Sequence, residues 1–214
     1  MAETPQTAAP DQQAVPAPQP EVIACYGLAW KQLWKNFPML LLIVVIYSAM
    51  ASLNALPFCI GFVYSVLVGW PMVYGLMQVN LKAARGENLE VGDLFAGFKN
   101  YGNVLLAMLL TSLIICGGLL LLIVPGVIFA CKLAFVPFLV MDQKKDAIEA
   151  IKQSWNMTGG YSMKIFLLYL LGVPIAIAGL IALCVGIIPA SMWISLAVAV
   201  MYYAVVSAGN KTAA

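Results

Sequence analysis

One ionisable residue stands where its surroundings give it no reason to be. Lys132 is the sole charged residue in the apolar run 127–141. A charge at that kind of position costs about 2.5–3.5 kcal/mol on insertion scales and marks a functional candidate by default. Lys132 lies six residues past Gly126, roughly 9 Å along a helix. From there its ammonium could snorkel to the nearer interface, bind an anionic headgroup or substrate, or cap carbonyls freed by Pro137.

The remaining chemistry-bearing residues form weaker patterns. The carboxylates Glu87, Glu90, Asp93, Asp142, Asp146 and Glu149 fall in loops beside lysines. Asp142 with Asp146, or Asp146 with Glu149, could share a helix face and hold a metal or act as acid and base. Solvated, salt-bridged faces are the expected reading. The sequence has no histidine, the commonest general base and metal ligand. Ser154 therefore has no activating imidazole, and no GxSxG surrounds it. No P-loop or GxGxxG occurs. The five cysteines have no CxxC spacing and lie in or beside apolar runs; they read as buried small hydrophobes, with no disulfide framework. No catalytic residue, metal or cofactor is expected.

The elements that must position these residues follow from composition. Of 214 residues, 63% are hydrophobic and 9% charged, against about 45–50% and about 25% in a soluble domain. A soluble enzyme, a nucleic-acid binder and a disordered chain are excluded, leaving an integral membrane protein. Crossing about 30 Å of hydrocarbon takes about 20 apolar helical residues. Six runs approach this, in pairs broken at Pro57, Pro125 and Pro189: 37–56 with 58–77, 104–124 with 127–141, and 165–188 with 190–207. The expectation is an all-α, polytopic bundle of six spans as three hairpins. Four spans plus a re-entrant pair would fit the same runs. Residues 1–20, rich in Ala, Pro and Gln, form a disordered tail ahead of one membrane domain over 21–211. Ten of the eleven basic residues lie in two loops and two termini on one side of a six-span chain. By the positive-inside rule both termini are cytoplasmic.

The hairpins repeat. Pro57, Pro125 and Pro189 are 68 and 64 residues apart, and Lys35, Lys99 and Lys164 are 64 and 65 apart. Three copies of one unit are expected, over about 21–83, 86–141 and 143–207, each an amphipathic lead-in helix followed by two spans. Because each copy has an even number of spans, the copies are parallel around an axis along the membrane normal. The lead-in helices place Trp30, Trp34 and Lys35, then Phe98 and Lys99, then Lys152 and Trp155 where aromatic and basic side chains meet headgroups. They read as an anchoring belt or a docking collar for a partner. Pro71, Pro137 and Pro174 lie inside spans and can kink them.

The stretch Leu121-Ile123-Val124-Pro125-Gly126-Val127-Ile128 is followed by Lys132, Phe135, Pro137 and Asp142. After these come Ala147, Glu149-Ala150-Ile151-Lys152, Ser154-Trp155 and Gly159-Gly160. This pattern resembles a superfamily of bacterial six-span proteins that includes the membrane domain attached to some glycerophosphodiester phosphodiesterases. The match covers about fifty residues and is looser from Trp30 to Asn100. The resemblance implies the six-span fold and an auxiliary role in envelope or lipid biology. The phosphodiesterase chemistry belongs to a separate soluble domain, so no catalytic residue carries over. The functional expectation is a non-enzymatic protein of the cytoplasmic membrane whose partners are membrane lipids or an unidentified membrane or cytoplasmic protein. The alternative is a small transporter or channel with Lys132 near its path, and the third reading is a lipid-modifying enzyme.

Overall fold

The computed structural model describes residues 20–52, 61, 63–121, 123–181 and 186–213, and among these every regular element is a helix and none is a strand. The tail and the first hairpin turn at Pro57 lie outside the described residues. Helix α1, Val22–Lys35, buries Val22, Cys25, Tyr26, Ala29 and Leu33, a stripe at three- and four-residue spacing. Helix α2, Phe37–Ala51, leaves it at 89°. A π-helical turn, Ser65–Gly69, leads into α3, Trp70–Arg85. Gly86 ends α3 with φ 77°, a left-handed cap that favours glycine. A 3₁₀ segment, Val91–Asn100, is opened by a reciprocal cap between Glu90 and Asp93. It continues into α4, Tyr101–Leu121.

The chain returns as α5, Ile123–Leu133, and α6, Val136–Asp142. Helix α7, Ala147–Thr158, stops at Gly159, and α8, Ser162–Ile181, and α9, Ile187–Ala213, complete the fold. Pro125 and Pro189, expected to form turns, sit instead in the first turn of α5 and α9. The first amides of a helix have no intrahelical acceptor, so proline is tolerated there.

Four described helices are long and apolar enough to cross a membrane: Val91–Leu120, Pro125–Asp142, Ser162–Ile181 and Ile188–Gly209. The bent pair α1 and α2 makes a fifth if counted as one span. The lead-in segment before α4 is continuous with its span, whereas α1 turns sharply into α2.

Helices returning toward Arg85, Asp142 and Gly209 make up the centre. α3 packs on α9 and on α6, around the fully buried Met72, Tyr74, Phe135, Phe138, Leu139 and Tyr202. Outgoing α4 and α8 are peripheral. Each lead-in segment lies against a returning one: α1 on α9, Val91–Asn100 on α3, and α7 on α5 and α6. The second of these contacts is the tightest. A Cβ on Gly75 would overlap the backbone of Leu94, and one on Gly97 would overlap the backbone of Pro71.

Candidate functional site

Pro137 accounts for the break that shapes the surroundings of Lys132. It has no amide hydrogen and clashes with a helical carbonyl four residues back. Helix α5 stops at Leu133 and α6 restarts at Val136. The last carbonyls of α5 then need donors from elsewhere, and α7 supplies them. Ser154 Oγ donates to the Lys132 carbonyl at 2.7 Å. The Thr158 hydroxyl lies 3.1 Å from the same oxygen and 2.7 Å from the carbonyl of Ser154, so it shares one proton between them. Both side chains are fully buried. They were not singled out from the sequence as hydrogen-bonding residues; their only signal was a hydroxyl at each of two positions four apart on the apolar face of a helix.

The Lys132 side chain does something different from its carbonyl. Its Nζ stands 4.1 Å from the centroid of the Trp155 ring. Trp155 is packed in turn on Phe129, with ring centroids 5.6 Å apart. Lys132 is half-buried. Among the described residues its ammonium donates to no protein acceptor and meets no carboxylate within ion-pair distance. Trp155 remains 37% exposed, so the pair opens outward rather than into the centre.

Of the loop carboxylates, Glu87, Asp93, Asp142 and Glu149 face cations, whereas Glu90 and Asp146 form no ion pair among the described residues. Asp142 receives Arg85 through two parallel bonds, 2.6 and 2.7 Å, and the Tyr202 hydroxyl at 3.1 Å. This junction joins the ends of α3 and α6 to the middle of α9. Burial works against the Arg85 charge, but the hydrogen bonds and attraction from Asp142 outweigh it and hold the guanidinium above its ordinary range. Tyr202 is fixed by stacking on Phe138, centroids 5.1 Å apart, and by an edge contact to Phe135. Lys82 pairs with Asp93 at 2.6 Å and Lys145 with Glu149 at 2.7 Å. Among the described residues no group of three His, Cys, Asp or Glu could hold a metal. Asn103 caps α7: its Oδ1 accepts from Ala147 N and its Nδ2 donates to Lys145 O, each at 2.7 Å.

The aromatic and basic residues of the lead-in segments fall into separate groups. Trp30 packs on Trp193 and Trp34, and Trp34 stacks on Phe37. This group lines a cleft of about 350 Å³ with Gly186, Pro189 and Ala190, at the start of α9. Lys35 is exposed at the end of α1. Phe98 lies between Phe95 and Tyr101, and Lys99 is exposed beside it. Lys152 lines a second cleft of about 430 Å³ with Asn103, Leu106 and Ile148. Pro71 sits in the first turn of α3, just after the π-helical turn, while Pro174 lies inside the continuous α8. Of the expected site residues, only Lys132 and Trp155 are brought into direct contact with each other across two different helices.

Comparison with family models, with curated proteins and with solved structures finds no match to this chain.

Proposed function

We propose that this chain is a non-enzymatic, multi-pass protein of the bacterial cytoplasmic membrane, with both termini in the cytoplasm. It serves as a scaffold or auxiliary factor in envelope or lipid biology, holding lipid or a partner protein at its interface. The observation that carries this reading is the filled centre. Phe135, Phe138, Tyr74 and Tyr202 occupy the space between the returning helices, and the Arg85–Asp142–Tyr202 junction ties their ends. A conduit needs a polar path, and the packing of the described residues at the centre offers none. Clefts lie on the flanks, and one of about 520 Å³ opens where Gln143, Gln153 and Tyr161 meet α9.

The same reading takes the chain as three copies of a lead-in helix and two spans. Its support is a cyclic order of contacts. The lead-in of the second unit lies on the return of the first, that of the third on the return of the second, and that of the first on the return of the third. A closed ring of three equivalent units has this order. The resemblance to six-span bacterial membrane domains agrees with it.

A small transporter remains the second reading, favoured by the uncompensated charge of Lys132 within the window Pro125–Asp142. Solute flux through liposomes holding the purified protein separates the two. Leak no faster than in protein-free vesicles is expected. Protein-dependent flux that Lys132→Ala abolishes would overturn the scaffold in favour of the transporter.

A further inference from the structure

We propose that the Lys132–Trp155 pair binds the phosphate of an anionic phospholipid drawn from the surrounding bilayer. This rests on reading the chain as a membrane-embedded scaffold, and it names the ligand of one site on it.

Three observations lead there. First, the ammonium has unused binding capacity. One face is covered by the indole ring at 4.1 Å, and a ring face offsets only part of the cost of holding a cation in an apolar setting. No described carboxylate lies within ion-pair distance of it: Asp142 and Glu149 are paired with Arg85 and Lys145, and Asp146 lines the cleft beside Lys152. An anion from outside the protein completes the site.

Second, apart from its contact with the Trp155 ring, the side chain makes no bond that holds the fold among the described residues. The contacts that join α7 to the α5 break are made by the Lys132 backbone carbonyl with Ser154 and Thr158. Any residue with a carbonyl would serve them. The charge is therefore a separate feature from the fold at this position.

Third, the surroundings suit an amphiphile. Val127 and Ile128 on α5 and Ile148 on α7 are exposed apolar residues, 37%, 46% and 55% accessible. They provide a bed for acyl chains next to the cation. Lys152, one turn before Trp155 on α7, is exposed but shares its cleft with Asp146 and Glu149, so the positive charge at the pair is that of Lys132. Free phosphate has no use for the apolar bed, whereas a phospholipid uses both parts.

Trp155 makes the proposal measurable. The full chain is reconstituted in phosphatidylcholine vesicles containing equal fractions of either brominated phosphatidylglycerol or brominated phosphatidylcholine. Trp155 emission is taken as the difference between the unaltered protein and Trp155→Phe. Quenching by the anionic lipid should exceed that by the zwitterionic one by about fivefold, as expected for one basic residue at an anionic surface. Lys132→Arg should keep the preference. Lys132→Ala and Lys132→Met should both lose it while retaining the helical circular dichroism and thermal transition of the parent. Equal quenching by the two lipids, or a preference that survives loss of Lys132, would overturn the proposal. Relief of the preference by inorganic phosphate would overturn the lipid as the source of the anion. Protein-dependent solute flux with the lipid preference intact would overturn the scaffold reading alone.

Discussion

Helices α8 and α9 follow one another in the chain and differ in where they end up. α8 is the more apolar, with a mean hydropathy of 2.2 against 1.7, yet only 22% of its window is buried against 56% for α9. In water the more apolar helix would take the interior. In a bilayer the acyl chains are as good a solvent as the protein core for Leu and Ile, so apolarity alone does not drive a helix inward. α8 leaves Leu170, Val173, Ile177, Leu180 and Ile181 exposed. α9 brings Ala197, Ala199 and Ala204 to the centre, where small residues let backbones approach, and adds Tyr202 to reach Asp142. Central helices here are selected by small side chains and by polar groups that need partners.

Substitutions can test whether that distinction holds. The largest effect is expected at Gly75, where an added Cβ meets the backbone of Leu94 rather than a side chain that could move. Gly75→Val should cost more than about 3 kcal/mol, toward the upper end of overpacking, seen as loss of the thermal transition in detergent. Next is the charged junction. Asp142→Ala leaves Arg85 with Glu87 at 3.9 Å and the Tyr203 ring at 5.7 Å and should cost about 2–3 kcal/mol, tempered by the partial exposure of both side chains. Arg85→Ala combined with Asp142→Ala should cost less than the sum of the two single changes. The smallest effect is expected on the outgoing side. A Cβ on Gly117 of α4 meets nothing within 4 Å, so Gly117→Ala should be neutral or stabilise by up to about 1 kcal/mol. A large loss there, or none at Gly75, would erase the contrast between peripheral and central helices.

The sequence revealed more of the elements than of their partners. Hydropathy marked the apolar runs, and Pro137 marked a break inside a returning helix, because proline's missing amide acts locally. Gly159-Gly160 marked the end of α7 because glycine's backbone freedom disfavours helix locally. Pro125 and Pro189 were harder to place: proline is equally at home in a turn and in a helix's first turn, and only the backbone decides. The solitary charge of Lys132 stood out, but its contact with Trp155 depends on how α7 crosses α5. The junction of Arg85 with Asp142 spans 57 residues of sequence and needs α3 and α6 side by side. Arg85 is the sole arginine in the chain, a faint sign that a planar, two-pronged donor was needed there. The lead-in helices looked amphipathic from sequence, but the residues they bury are mostly small ones such as Cys25, Ala29, Ala147 and Ala150, while Trp30, Trp34, Phe95, Phe98, Ile148 and Trp155 stay exposed, a choice between protein and lipid that periodicity does not encode.

The packing of α1 on α9 also sets an order of assembly. Cys25 meets Met201 across 176 residues and Trp193 donates to the Tyr26 carbonyl across 167. Helix α1 thus waits for α9, which is made much later in the chain. Until α9 arrives, Cys25 lacks Met201 and the Tyr26 carbonyl lacks the Trp193 donor. Assembly cannot proceed by settling each helix as it is made; α9 acts as a clasp. A chain halted before α9 presents an unfinished face of α1, a mark by which a membrane insertase or protease could tell an incomplete molecule from a complete one.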